Sequence, residues 1–191
     1  MKLKNICFGI VCTVALVGCT DKMDYHEYTN YGKEYVFSDF GRTAAFVNNI
    51  YSYLDYDLLG TTSLASACDE AEMALNYSNV LDYTNGNWTA LNPKSQWNYY
   101  TPIRAANYFL ENGLNLEFSD LILNQDYEAQ MKRYGRYQYE VRLLRAYYYF
   151  LLVRAYGDVP FTTKVLTEAE ANSLERTPAS QVFDFIISEC D

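Results

Sequence analysis

The chain has 191 residues, with 15 basic and 24 acidic side chains, a formal net charge of −9 and a single histidine. That balance excludes a surface built for nucleic acid or for anionic lipid headgroups. With only His26, near the start of the chain, a histidine-based metal site or a Ser-His-Asp triad is excluded as well, and no cofactor or metal is expected.

The first residues read as an export signal. Lys2 and Lys4 form a short basic region, and Ile6 to Val17 form an apolar run too short to cross a bilayer as a helix. The run ends in Leu16-Val17-Gly18-Cys19. An aliphatic residue, two small or medium ones and then cysteine is the pattern cut by the bacterial lipoprotein signal peptidase, after which the thiol receives diacylglycerol. Residues 1–18 are therefore expected to be removed and Cys19 to carry the lipid. A further acyl chain on the new amino group would make the anchor stable where one chain is marginal. Cleavage would remove Lys2 and Lys4, leaving 13 basic against 24 acidic side chains and a formal net charge of −11. The membrane tie is then the lipid and not a basic patch. Cys68 and Cys190 remain, too few for a disulfide framework, and are expected to be buried thiols.

Residues 19–38 are polar and aperiodic and read as a tether. From there the pattern is helical. Ser38 or Asp39 is placed to cap a helix with Ala45, Val47, Ile50, Tyr51 and Leu54 on its apolar face. A second helical stretch, Leu64 to Leu75, holds the acidic run Asp69-Glu70-Ala71-Glu72. Residues 76–94 are rich in Asn, Gly, Thr and Tyr and read as a long loop of the kind that carries function. A third helix spans Ser95 to Glu111, with Pro102 marking a kink or a restart capped by Thr101, and Asn112-Gly113 ending it. The longest helix runs from about Asp126 to Tyr156, with a bend or break expected at Gly135. Val141, Leu144, Tyr148, Leu151, Leu152 and Ala155 form its stripe, and Gly157 and Pro160 stop it. A last helix starts at Thr177-Pro178, with Val182, Phe183, Ile186, Ile187 and Cys190 as its buried stripe. No stop signal follows, so the chain is expected to be the front part of a longer protein. No strand pairs are evident, and the fold class is all-α with long irregular loops. A 34-residue tetratricopeptide pattern fits in part, with Tyr137, Ala146 and Phe150 in register.

Tyrosine is the compositional outlier, at 20 residues. Its flat, amphipathic ring suits sugar or peptide contact and equally suits helix packing with hydroxyls tied to polar groups. The three arginines of the long helix, Arg142, Arg145 and Arg154, are expected to pair with carboxylates or helix ends inside the fold. Trp97 is expected to pack.

The segment RLLRAYYYFLLVRAYGDVPF (142–161) resembles the hallmark of the SusD/RagB family of nutrient-binding outer-membrane lipoproteins. The lipobox followed by CTDKMDY, the Asp69-Glu70 pair, WNYYTPIRAANYFLEN (97–112) and TPASQVFDFIISECD resemble the family's further segments in their order. The resemblance implies a helical SusD-like fold with tetratricopeptide-type helix pairs over residues 39–191, incomplete at its C-terminus. It implies a lipid-anchored protein of the cell outer membrane that is not an enzyme. Such a protein captures oligosaccharides and passes them to a SusC-type TonB-dependent transporter. In starch-binding members some ligand contacts come from just after the Asp-Glu pair. The matching stretch here offers Asn76, Tyr77, Asn79 and Tyr83, with Trp88 following, and lacks a tryptophan at the family's positions, which sets starch itself apart. Two alternatives share the fold: a peptide-binding member of the family, or a tetratricopeptide-type scaffold that binds only proteins. An enzyme using Asp69, Glu70 and Glu72 fits poorly, since neighbours on a helix point about 100° apart.

If Cys19 carries the anchor, Cys19→Ala leaves an unprocessed or soluble precursor. Labelling cells with a fatty-acid analogue checks this: the label is expected on the native chain and absent from the variant.

Overall fold

The computed structural model describes residues 32–54, 66, 68, 71, 74, 80–87, 89–91 and 95–191. The helices are α1 (Lys33–Phe37), α2 (Phe40–Tyr51), α3 (Leu81–Thr84), α4 (Tyr100–Asn112), α5 (Tyr127–Tyr156), α6 (Glu168–Ser173) and α7 (Ala179–Cys190). Single 3-10 turns lie at Trp97–Tyr99 and Ser119–Leu121, and a two-residue antiparallel pair joins β1 (Val159–Pro160) to β2 (Arg176–Thr177). The chain is thus a helical protein, as its periodicity indicates. The leader and Cys19, the stretch 64–75 apart from residues 66, 68, 71 and 74, and Asp69, Glu70 and Glu72 lie outside the described residues.

α5 is the axis. It is 30 residues long, about 45 Å at 1.5 Å per residue. It runs unbroken through Gly135, because a lone glycine lowers helix propensity without removing the backbone N–H. α4 runs antiparallel to it: Tyr99 stacks on Tyr148 and Phe109 meets Tyr137 edge-on. α7 is also antiparallel, with Phe183 near Phe150, Phe185 near Tyr149 and Glu189 reaching Arg142 and Arg145. α2 runs parallel, with Phe40 against Tyr137 and Ile50 accepting from the Tyr148 hydroxyl at 2.5 Å. Val47, Ile50, Ile103, Phe109, Val141, Tyr148, Tyr149 and Leu152 are almost wholly buried between these helices. Each such side chain contributes on the order of 1.5–3 kcal/mol relative to exposure.

Several boundaries differ from expectation, each for a local reason. Asp39 is the N-cap of α2, its carboxylate accepting from the Arg42 amide at 2.8 Å. The buried face of α2 is Phe40, Thr43, Ala44, Val47 and Ile50, while Ala45 is exposed. Residues 33–37, assigned to the tether on sequence, form α1. Phe37 is buried in an aromatic cluster with Phe46, Tyr108 and Phe109. Pro102 causes no kink: α4 begins at Tyr100, so Pro102 sits in the first turn, where its missing N–H would have no partner anyway. Thr101 is inside the helix and caps nothing. Gly113 ends α4 where a Cβ would lie 2.6 Å from the Phe109 ring.

The segment after α5 combines three devices. Gly157 closes the helix at φ 71°, a left-handed conformation that favours glycine. Asp158 then turns its carboxylate to accept the Ala179 amide at 2.9 Å, so the first turn of α7 is capped from 21 residues upstream. Val159, fully buried, pairs with Thr177. Thr177 is therefore a strand residue, not the N-cap of α7.

The buried stripe of α7 is rotated from expectation. Val182 is buried and Phe185 and Ile186 pack on the core, but Phe183 and Ile187 are 40% and 57% exposed. Cys68 and Cys190 are both exposed, against the expectation of burial. The register follows from Glu189. Its carboxylate faces α5, receiving Arg145 at 2.7 Å and Arg142 at 3.0 Å, and this fixes which side of α7 points inward. Arg145 also donates to Asn107 Oδ1 on α4 at 2.8 Å. The arginines at 142 and 145 thus pair with a carboxylate inside the fold. The side chains of Arg145 and Glu189 are each 8% exposed, whereas that of Arg142 is 38% exposed.

Removing one partner of a buried pair leaves the other charge uncompensated. Arg145→Ala is expected to cost about 3–5 kcal/mol, and Arg142→Ala, at the solvent edge, under about 1 kcal/mol. Urea denaturation of both variants checks the order. Equal, small losses would remove the pair from its central role.

Candidate functional site

Of the residues proposed for ligand contact, Asn76, Tyr77, Asn79 and Trp88 lie outside the described residues. Tyr83 lies on α3, 37% exposed, following the buried Val80. One ring of the set is therefore placed at the surface.

Among the described residues, a mainly apolar cleft of about 300 Å³ lies between α4 and the segment that returns from β1 to β2. Trp97, Tyr100, Ile103, Arg104 and Asn107 line one wall, at the i, i+3, i+4 spacing of one helix face. Pro160, Thr162, Lys164, Leu166, Ala171 and Leu174 form the other. Thr167 starts α6 with a capping box, its side chain on the Glu170 amide and the Glu170 carboxylate on the Thr167 amide at 2.8 Å. The Thr-Glu-Ala-Glu run at 167–170 carries that signature in the sequence, so α6 was open to detection there.

Trp97 packs, as expected, lying nearly parallel to Tyr156 at 3.9 Å between centroids. It also remains 38% exposed and borders the cleft, with the Arg176 guanidinium 5.8 Å from its ring. The polar groups around the cleft are engaged within the chain. Asn107 Nδ2 donates to the carbonyls of Thr162 and Lys164 at 3.2 and 3.1 Å. Arg104 Nη1 donates to the Leu166 carbonyl at 2.8 Å. The Tyr100 hydroxyl donates to the Pro160 carbonyl at 2.5 Å. The Tyr149 hydroxyl donates to the Thr162 carbonyl and accepts from its amide. What the cleft offers is mainly aromatic and aliphatic surface with a cationic rim. That arrangement can hold an apolar face and supplies no nucleophile–base pair. Its residues at 97, 100, 103, 104 and 107 form a visible helical stripe, of which the sequence reading singled out Trp97, as a packing residue.

Burial drives both phenols away from ionisation. The Tyr149 hydroxyl is pushed up to about 12 by burial, against the opposing bond from Thr162 and the Arg145 charge. Tyr100 is raised further by burial, then by Tyr149, with Arg176 opposing. Both remain neutral at ordinary pH and act as hydrogen-bonding props.

Packed antiparallel helix pairs with a long returning segment define a helical fold with an apolar cleft on one side. The chain belongs to the SusD-like family: the family model described as "Starch-binding associating with outer membrane" matches residues 24–191. Among solved structures, a SusD-like protein from Bacteroides fragilis NCTC 9343 is 25% identical, with a TM-score of 0.58 over 81% of this chain and 29% of its own. A SusD-like carbohydrate binding protein from the same organism is 22% identical, with a TM-score of 0.58 over 81% of this chain and 31% of its own. A SusD superfamily protein from Bacteroides thetaiotaomicron VPI-5482 is 22% identical, with a TM-score of 0.55 over 80% and 34%. The chain therefore spans about a third of the length of these solved relatives. A comparison with curated proteins finds no match.

The raised phenols tie stability to alkaline pH. In the unfolded chain a tyrosine loses its proton near pH 10, while Tyr149 in the fold holds it to about 12. Their stabilising effect is complete below pH 10 and falls as pH rises through 12. A spectrophotometric titration is expected to show a late class of tyrosines that ionises together with unfolding, reduced in Tyr149→Phe.

Proposed function

We propose that this chain is the N-terminal part of a cell-surface lipoprotein that binds oligosaccharides and passes them to a SusC-type TonB-dependent outer-membrane transporter. The observation that carries this reading is the family match over residues 24–191, whose description joins starch binding to the outer membrane. Cys19 would hold the protein to the membrane, through a leader at 1–18 and a short tether. Among the described residues no helix is long and apolar enough to cross a membrane. The protein would bind and release its ligand without altering it.

The ligand contacts proposed are Asn76, Tyr77, Asn79, Tyr83 and Trp88. Sugars present C–H faces to aromatic rings and hydroxyls to amides, and this stretch supplies both. The exposed ring of Tyr83 supports that placement. A second reading, peptide binding, is favoured by the cleft beside Trp97, where amides and hydroxyls are already satisfied internally and an apolar side chain is a better match than a hydroxyl-rich ring.

Calorimetric titration of the full-length protein with the oligosaccharide on which its host grows separates these readings. Tyr77→Ala and Trp88→Ala are each expected to weaken glycan binding by about 1–3 kcal/mol, the scale of stacking one flat ring on an aromatic side chain. The melting temperature should stay nearly unchanged. Affinity lost only through unfolding would place Trp88 in the core. Heat released by peptides and not by glycans would favour the second reading.

A further inference from the structure

The chain holds two Asn-Gly pairs, Asn85-Gly86 and Asn112-Gly113, and the fold treats them in opposite ways. Asn112 is the last residue of α4. Its side-chain amide donates to the Tyr108 carbonyl at 3.0 Å, and the Gly113 N–H donates to the Phe109 carbonyl at 2.6 Å. Gly113 is itself buried, against the Phe109 ring. Asn85 instead ends the short helix α3 at the surface, and Gly86 turns the chain away at φ 72°. Both residues are exposed, and a Cβ built on Gly86 would meet open space. Among the described residues no hydrogen bond engages the Asn85 side chain or the Gly86 N–H. The bond that the turn does make, from the Asn85 backbone amide to the Leu81 carbonyl at 2.8 Å, leaves both of those groups available.

We propose that Asn85 is a site of spontaneous deamidation in the folded chain and that Asn112 is protected from it. The Gly86 backbone nitrogen attacks Asn85 Cγ. A bond forms between them, the bond from Cγ to Nδ2 breaks, and the Gly86 amide proton leaves with Nδ2 as ammonia. The product is a five-membered succinimide. Water then opens the ring at either carbonyl, giving aspartate or, with the main chain rerouted through the side-chain carbon, isoaspartate. Nothing is oxidised or reduced, and solvent water is the co-reactant. Glycine after the asparagine leaves the attacking nitrogen unshielded, because it has no Cβ. Ring closure also requires rotation about the Asn Cα–C bond, which swings the next N–H toward the side chain. At Asn85 that rotation, starting from ψ 0°, breaks no hydrogen bond of Gly86. At Asn112 it breaks the bond from Gly113 and drags a buried amide out of its packing, and the side chain must leave the Tyr108 carbonyl as well. Each event at Asn85 adds a negative charge to a chain already at −9 and, as isoaspartate, lengthens the backbone between Tyr83 and Trp88 by one bond. That consequence for ligand contact rests on the function proposed above; the modification itself does not.

The chain is incubated at neutral pH, folded and in parallel in concentrated urea. Peptides covering each pair are followed by mass spectrometry for the exchange of NH2 for OH, and isoaspartate is counted by enzymatic methylation. In the folded chain Asn85 is expected to convert to a mixture of isoaspartate and aspartate at least about tenfold faster than Asn112, which must first give up two hydrogen bonds. In urea both pairs are open and the two rates should converge. Equal rates in the folded chain overturn the proposal, as does a folded-state rate at Asn85 far below its rate in urea. A difference that persists in urea also overturns it, because neighbouring sequence and not the fold would then set the rates. Aspartate without isoaspartate would mean direct hydrolysis with no ring, and overturns it too.

Discussion

The contact on which this fold depends is the buried carboxylate of Glu189, held by Arg145, which in turn holds Asn107. Three helices meet there: Glu189 comes from α7, Arg145 from α5 and Asn107 from α4. Asn107 then passes its own two donors to the carbonyls of Thr162 and Lys164, so the returning segment is tied in as well. Placing these charges in a low-dielectric interior costs several kcal/mol per ion, offset only when the geometry satisfies nearly every donor. Arg145 meets that condition with bonds to two partners, and its guanidinium also lies 5.2 Å from the Phe185 ring. Hydrophobic burial supplies most of the driving force for packing these helices, but on α7 apolar residues sit side by side at 182 and 183 and at 186 and 187, so burial alone chooses weakly between two rotations. The charged contact is directional, and it sets which side of α7 faces inward.

Tyrosine serves the same end with neutral groups. Tyr134 donates to the Gly113 carbonyl and accepts from the Leu116 amide, securing the turn after α4. Tyr148 ties the end of α2, Tyr149 the segment at Thr162, Tyr100 the β1 carbonyl, and Tyr156 the amide of Gln96. In each case the ring packs against its neighbours and the hydroxyl bonds a backbone group at a helix end, in the short strand or in a connection. Buried loop ends otherwise leave such groups unpaired, at a cost of about 1–3 kcal/mol each. Five of the 20 tyrosines thus serve joints between helices and connections.

The long helices were legible because their periodicity is strong and their ends carry local chemistry. Gly113 and Gly157 mark stops that follow from sequence, and Asp39 is a readable cap. The pairing of Arg142 and Arg145 with a carboxylate was legible as a need, since charges on an apolar helix require partners, but the partner was not, because Glu189 lies 44 residues beyond Arg145. Separation in sequence, here 21 residues, also hid the role of Asp158. In sequence it looks like a turn residue, and only the fold brings it to the first turn of α7. The register of α7 was misread because five apolar residues at 182, 183, 186, 187 and 190 make a convincing stripe. What rotates the helix is the polar Glu189, which a hydropathy pattern counts as outward. Of the candidate ligand residues, Tyr83 alone is placed, and the cleft beside Trp97 was not legible because its second wall, from Pro160 to Leu174, is distant in sequence from the first.

The clasp formed by Asp158, Val159 and Thr177 has a consequence for how such a chain tolerates change. It brings the two ends of the intervening segment together, and Asn107, Tyr149 and Arg104 fix that segment as far as Leu166. Beyond Leu166, the capping-box helix α6 has no buried residue and holds itself together locally. The stretch from Thr167 to Glu175 is therefore a hairpin-like appendage on a closed base. Doubling the length of such a loop adds only about 0.6 kcal/mol of closure entropy, and neither α5 nor α7 would register the change. The rim of the Trp97 cleft formed by Ala171 and Leu174 belongs to this appendage, so one wall of the cleft is free to vary in length and composition while the helical frame behind it stays fixed.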